Sequence, residues 1–140
     1  MGRLSAMVRS LVAGAIYFVI VFAIAFAFGA ARVTFLAPAV GPVLATLVEL
    51  PCLLSVSWAA CGFLVRRCSI RGLPVAMGMA ATAFVLLIGA ETAFSVLVFS
   101  QSIDALVASY RTPQGVIGLL GQLAFGVFPV IRRIQSEPQT

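Results

Sequence analysis

Residues 11–31 read LVAGAIYFVIVFAIAFAFGAA and meet no charged side chain until Arg32. At 1.5 Å per helical residue a run of this length covers about 30 Å, the thickness of a bilayer's hydrocarbon. Arg3 and Arg9 precede it and Ala25-Phe26-Ala27 lie near its end, the outline of a secretory signal. The apolar part of a cleavable signal is only about 7–15 residues long, so this stretch reads as a first membrane span.

Three further runs come after it. The second, 43–65, contains Pro51 and stops at Arg66-Arg67. The third, 73–99, is separated from it by a short loop through Cys68, Arg71 and Gly72. The fourth, 114–131, is closed by Arg132-Arg133. Pro38, Gly41 and Pro42 mark 33–42 as a turn. The segment 100–113 is more polar, with Gln101, Asp104 and Arg111. Within it, 103–110 mixes Ile103, Leu106 and Val107 with Asp104 and Ser109, which predicts a short helix lying on the membrane surface. Residues 134–140 are expected to form a short cytoplasmic tail. The expected fold is all-α: one domain, a bundle of four transmembrane helices running up-down-up-down.

Composition agrees. The 140-residue chain is 62% hydrophobic and 9% charged, with a mean hydropathy of +1.16. Soluble domains carry roughly a quarter charged residues, so this chain cannot cover a surface in water. The net charge of +5 comes entirely from arginines at the ends of apolar runs, which points to membrane flanks and away from nucleic acid. Arg3, Arg9, Arg66, Arg67, Arg71, Arg132 and Arg133 fall on one side of a four-span path, and Arg32 and Arg111 on the other. The positive-inside rule places the first set, and both termini, in the cytoplasm. The chain has no Lys, His or Asn. That bias suits a GC-rich, most simply bacterial, genome, and hence an inner membrane. Without His, haem ligation by His and most zinc sites are excluded within the chain. Cys52, Cys61 and Cys68 match no metal or redox spacing and read as packing residues, with Cys52 and Cys61 on opposite helix faces. No cofactor is implied. No nucleophile–base pair or phosphate loop is visible, so no enzyme is expected.

Each span carries one strongly polar residue: Arg32, Glu49, Glu91 and Gln122. In the expected orientation all four lie in the outer half, with Glu49 roughly 9 Å, and Glu91 and Gln122 roughly 12 Å, below the outer ends. A charge facing mid-membrane lipid costs at least ~2.5–3.5 kcal/mol. The four should therefore turn inward, with Arg32 nearest Glu49, Glu91 sharing that arginine or protonated, and Gln122 donating to either carboxylate. Gly118, Gln122 and Gly126 share a face of the fourth helix, Glu91 and Ser95 one of the third, and Val21, Ala25 and Arg32 one of the first. The cluster reads either as a clasp fixing helix register or as a proton, ion or small-solute site. Trp58 reads as core packing, Tyr110 and Arg111 as interfacial anchors, and Arg132 and Arg133 as lipid-headgroup contacts. The Gly-Ala pairs 29–30 and 89–90 hint at two hairpins related about the membrane normal.

The pattern Gly29-x2-Arg32-x5-Pro38-x2-Gly41-x7-Glu49-x-Pro51, followed by Ser57-Trp58, resembles an uncharacterised family of small four-span bacterial inner-membrane proteins. The resemblance covers about two thirds of the chain and implies a membrane bundle with no assigned activity. Small multidrug transporters carry a Glu in their first helix and small fluoride channels use Asn; this chain has neither. The expected role is a structural or accessory membrane component. The alternative is a small oligomeric transporter or channel for a proton, ion or small solute that uses its buried glutamates. The partners implied are the bilayer itself and a second copy or partner membrane subunit.

The arginine distribution fixes a topological outcome. A reporter active only outside the cytoplasm should be silent when fused after Thr140 and active when inserted within 102–108. The reverse pattern would invert the orientation.

Overall fold

A computed structural model describes residues 2–136, and among them it contains helices and no strand. Four helices are long and apolar enough to cross a membrane: α1 (Gly2–Val40), α2 (Pro42–Arg67), α3 (Leu73–Val98) and α5 (Pro113–Gln135). A short helix, α4 (Ile103–Ser109), lies between the last two. The chain is an all-α, multi-pass membrane bundle.

Three of the four long helices run past the bounds expected from hydropathy, because helix geometry continues wherever the backbone bonds can, whether or not the side chains are apolar; α3 keeps its expected start and ends at Val98, one residue short. The largest difference is at 33–42. These residues do not form an open turn: α1 passes through a π-turn at Arg32–Leu36 and regains α geometry over Ala37–Val40. A π-turn inserts an extra residue and shifts the hydrogen-bond ladder. The Ala37 amide reaches back to the Arg32 carbonyl, so the amide that Pro38 lacks falls where the ladder is already offset. The helix then stops at Gly41, whose φ of 87° and ψ of 158° fit only a residue without Cβ. Pro42 opens α2 directly, so the α1–α2 connection is one residue long. A second π-turn, Phe94–Val98, ends α3. At the C-terminus α5 remains helical to Gln135, later than the tail expected from 134; residues 137–140 lie outside the described ones.

A short helix forms within 103–110, as the sequence predicts. The Ser102 hydroxyl caps it by accepting from the Ala105 amide at 3.1 Å, and Leu106 is buried beneath it while Ile103 and Val107 stay exposed.

Helix α1 packs against α3 and α2, and α5 packs against α2 and α3. The ring order is therefore α1, α2, α5, α3. The diagonal partners α1 and α5 run in opposite directions, which rules out a two-fold axis along the membrane normal through the ring. The repeat hinted at by the Gly-Ala pairs is thus not the symmetry of this bundle.

Burial is uneven along the bundle. Ser10, Ala13 and Tyr17 of α1, Ser57, Cys61 and Leu64 of α2, Ala76, Met79 and Ala83 of α3, and Phe125 and Pro129 of α5 are all buried, and all lie in the half assigned to the cytoplasmic side. Small residues let the backbones approach there. Cys61 belongs to this core, Cys52 is exposed on the other face, and all three cysteines are free. Above this layer few residues are buried.

The close approach of α1 and α3 gives a direct test. A Cβ on Gly14 would sit 2.7 Å from the Met79 backbone oxygen, whereas one on Gly118 would meet nothing within 4 Å. Gly14→Ala should lower thermal stability in detergent by about 1–3 kcal/mol, the usual cost of overpacking, while Gly118→Ala should be near neutral. Equal effects would mean that α1 and α3 are not in this contact.

Candidate functional site

At the centre of the ring, Pro129 sets the geometry. It has no amide to give the carbonyl of Phe125, four residues earlier. In hydrocarbon that oxygen needs another donor. The Tyr17 hydroxyl, from the diagonal helix α1, donates to it at 3.0 Å, and the Tyr17 and Phe125 rings stack with centroids 4.3 Å apart. This contact closes the bundle near mid-membrane.

Above it, the four long helices line an open cavity of about 620 Å³ that reaches from Ser57 and Phe125 to Val33, Thr34 and Phe99. Arg32, Glu49, Glu91 and Gln122 all line it. Arg32 Nε lies 2.5 Å from Glu49 Oε2, and the side chains are 22% and 14% exposed. The geometry is that of an ion pair more than of a well-directed hydrogen bond. Both residues are placed by the one-residue turn at Gly41, which sets them at matching depth on adjacent antiparallel helices.

Glu91 does not share Arg32. Its Oε2 accepts from the Gln122 carboxamide at 2.5 Å and from the Tyr110 hydroxyl at 3.0 Å, so Gln122 serves Glu91 and not Glu49. Among the described residues the only charged cavity-lining side chains are Arg32, Glu49 and Glu91, and no ion pair forms to Glu91. With the carboxylates ionised, one negative charge is left over. The Gln122 carboxamide oxygen is buried and takes no hydrogen bond among the described residues.

Two side chains depart from their expected places. Tyr110 is a hydrogen-bond donor to Glu91 and not simply an interfacial anchor; burial first, and then the Glu91 charge and hydrogen bond, push its phenol up to about 12. Arg132 does not point to lipid headgroups. It folds back onto α2, where its guanidinium lies 4.0 Å from the centre of the Trp58 ring and donates to the Trp58 carbonyl at 3.1 and 3.2 Å. Trp58 also meets Phe128 edge-on at 5.1 Å, so its packing role includes holding this cation.

Among the described residues no group of His, Cys, Asp and Glu is arranged to hold a metal ion. No family, curated protein or solved structure matches the chain.

The Arg32–Glu49 pair can be tested by cycling its charges. Arg32→Ala should lower thermal stability in detergent, and adding Glu49→Gln should recover part of the loss, because a lone buried carboxylate keeps its desolvation cost. A double variant no more stable than Arg32→Ala alone would show that the two are not coupled.

Proposed function

We propose that the chain is a small transport protein of a bacterial inner membrane, whose cavity admits a small solute from the outer face. The observation that carries this reading is that the four polar residues line a shared space and do not fill it. A clasp serving only helix register gains most from polar groups packed against one another, since empty volume forfeits contact energy. Here one pair, Arg32–Glu49, is charge-balanced, and Glu91, held on Oε2 by Gln122 and Tyr110, keeps its other oxygen without a donor. The volume lies in the range of about 300–1,000 Å³ usual for small-molecule sites. Tyr17 and Phe125 form the closed inner barrier. A second copy of the chain would steady the thin outer wall while the inner half rearranges.

The test is flux in proteoliposomes. Radiolabelled methylammonium, rubidium and glycerol, and protons followed by an internal dye, make up the panel. At least one should cross faster than in protein-free vesicles, and Gly118→Trp, which fills the cavity, should abolish the difference. Vesicles as tight as the protein-free controls to every probe would overturn the transport reading and return the chain to a structural role.

A further inference from the structure

From the cavity's lining we infer the class of its ligand, an inference that rests on reading the cavity as a solute site: a primary organic ammonium with an apolar, ring-sized body. Three features converge. First, the lining carries one carboxylate without a cationic partner, Glu91, since Arg32 is engaged by Glu49. A singly charged cation restores neutrality, and an anion would add to the excess.

Second, Glu91 keeps an unused acceptor. Both donors to Glu91 fall on Oε2, which leaves Oε1 without a donor. An R–NH3+ group offers three N–H donors and can serve that oxygen. A quaternary ammonium offers none and would leave it without a hydrogen bond. A metal ion would find too few oxygens, because cations such as Ca2+ take about 6–8.

Third, the remaining wall is aromatic and aliphatic. Phe94 of the α3 π-turn lies between Phe22 and Phe26 of α1, with centroids 6.0 and 5.7 Å away and rings tilted by 58°, and all three line the cavity. The rings flank the cavity that the Glu91 carboxylate also lines. The π-turn contributes here: its extra residue rotates the end of α3, so Phe99 faces the cavity while Val98 does not. An apolar body gains burial against these rings, and their faces attract positive charge.

Equilibrium binding of radiolabelled phenethylammonium to the purified protein in nanodiscs tests the assignment. Binding should saturate. Glu91→Gln should weaken it about tenfold or more, as expected for the loss of a desolvated charge partner, and Phe94→Ala should weaken it severalfold. Phenylethanol and phenylacetate should fail to compete, and the trimethylated ammonium should compete poorly. Should Glu91→Gln not fold, Gln122→Met removes a donor that positions the Glu91 carboxylate and should also weaken binding. Equal competition by phenylethanol, or unchanged affinity in the Glu91 or Gln122 variant, would overturn the assignment. This outcome is separable from the flux result: binding without flux keeps the ligand class and removes transport, and flux of another probe without binding does the reverse.

Discussion

The carbonyl of Phe125 has no amide to accept from, because Pro129 stands where the donor would be. Nothing in hydrocarbon can take that place. The Tyr17 hydroxyl takes it, and the consequence extends through the bundle. Tyr17 must cross the ring to reach its acceptor, so α1 and α5 are tied along the diagonal that their neighbours would otherwise keep apart. The stacked rings fill the centre at that level. Beneath them the helices close around small side chains, with Ser10 donating across to the Val75 carbonyl at 2.9 Å. Above them the ties, Arg32–Glu49 and Glu91–Gln122, join neighbouring helices, and among the described residues none crosses the ring.

The polar residues of the outer half obey the same solvent constraint. Each carboxylate needs a partner from the protein, and chain connectivity decides which. Arg32 and Glu49 lie at nearly equal distances along the chain from Gly41, so folding the α1–α2 hairpin places them side by side. Glu91 and Gln122 stand on either side of the α3–α5 connection in the same way, and α4 brings Tyr110 over them. Each hairpin thus solves its own charge problem. The two solutions differ: one is an ion pair, the other a carboxylate held by neutral donors. As a result, the lining, among the described residues, holds two carboxyl groups and one guanidinium.

Much of this was legible in the residues. The four spans can be read from the length and spacing of the apolar runs, and the depth of Arg32, Glu49, Glu91 and Gln122 from helical rise alone. The helix ends were less legible, since hydropathy drops at the membrane surface while backbone bonding continues through Val40 and Gln135. The π-turns left no compositional mark apart from Pro38, which reads equally well as a turn. The partners of Tyr110 and Arg132 were missed because an aromatic or basic residue near a span end fits the interface by default, and only the ring order shows that Glu91 and Trp58 are within reach. The Tyr17–Phe125 tie did have a signal. A proline inside the fourth apolar run leaves a free carbonyl, and a tyrosine hydroxyl deep in the first needs an acceptor; matching the two from sequence requires knowing that α1 and α5 are diagonal.

The inner barrier constrains how such a bundle can open. Separating Tyr17 from Phe125 leaves a hydroxyl and a carbonyl without partners, and an unsatisfied buried polar group costs about 1–3 kcal/mol. Parting the rings into a dry interior is therefore opposed twice, by lost packing and by two stranded polar groups. Water entering from the cavity removes the second penalty, because it can serve both groups as they part. Opening at this level is thus coupled to hydration of the cavity floor. Pro129 lies in the turn that must yield, where the helix already lacks a backbone bond, so the residue that creates the need for the tie also marks where α5 bends at least cost. Toward the C-terminal end of α5, Arg132 clamped between the Trp58 ring and carbonyl holds the next turn of α5 to α2, and it confines that bend to the stretch between the cavity floor and Arg132.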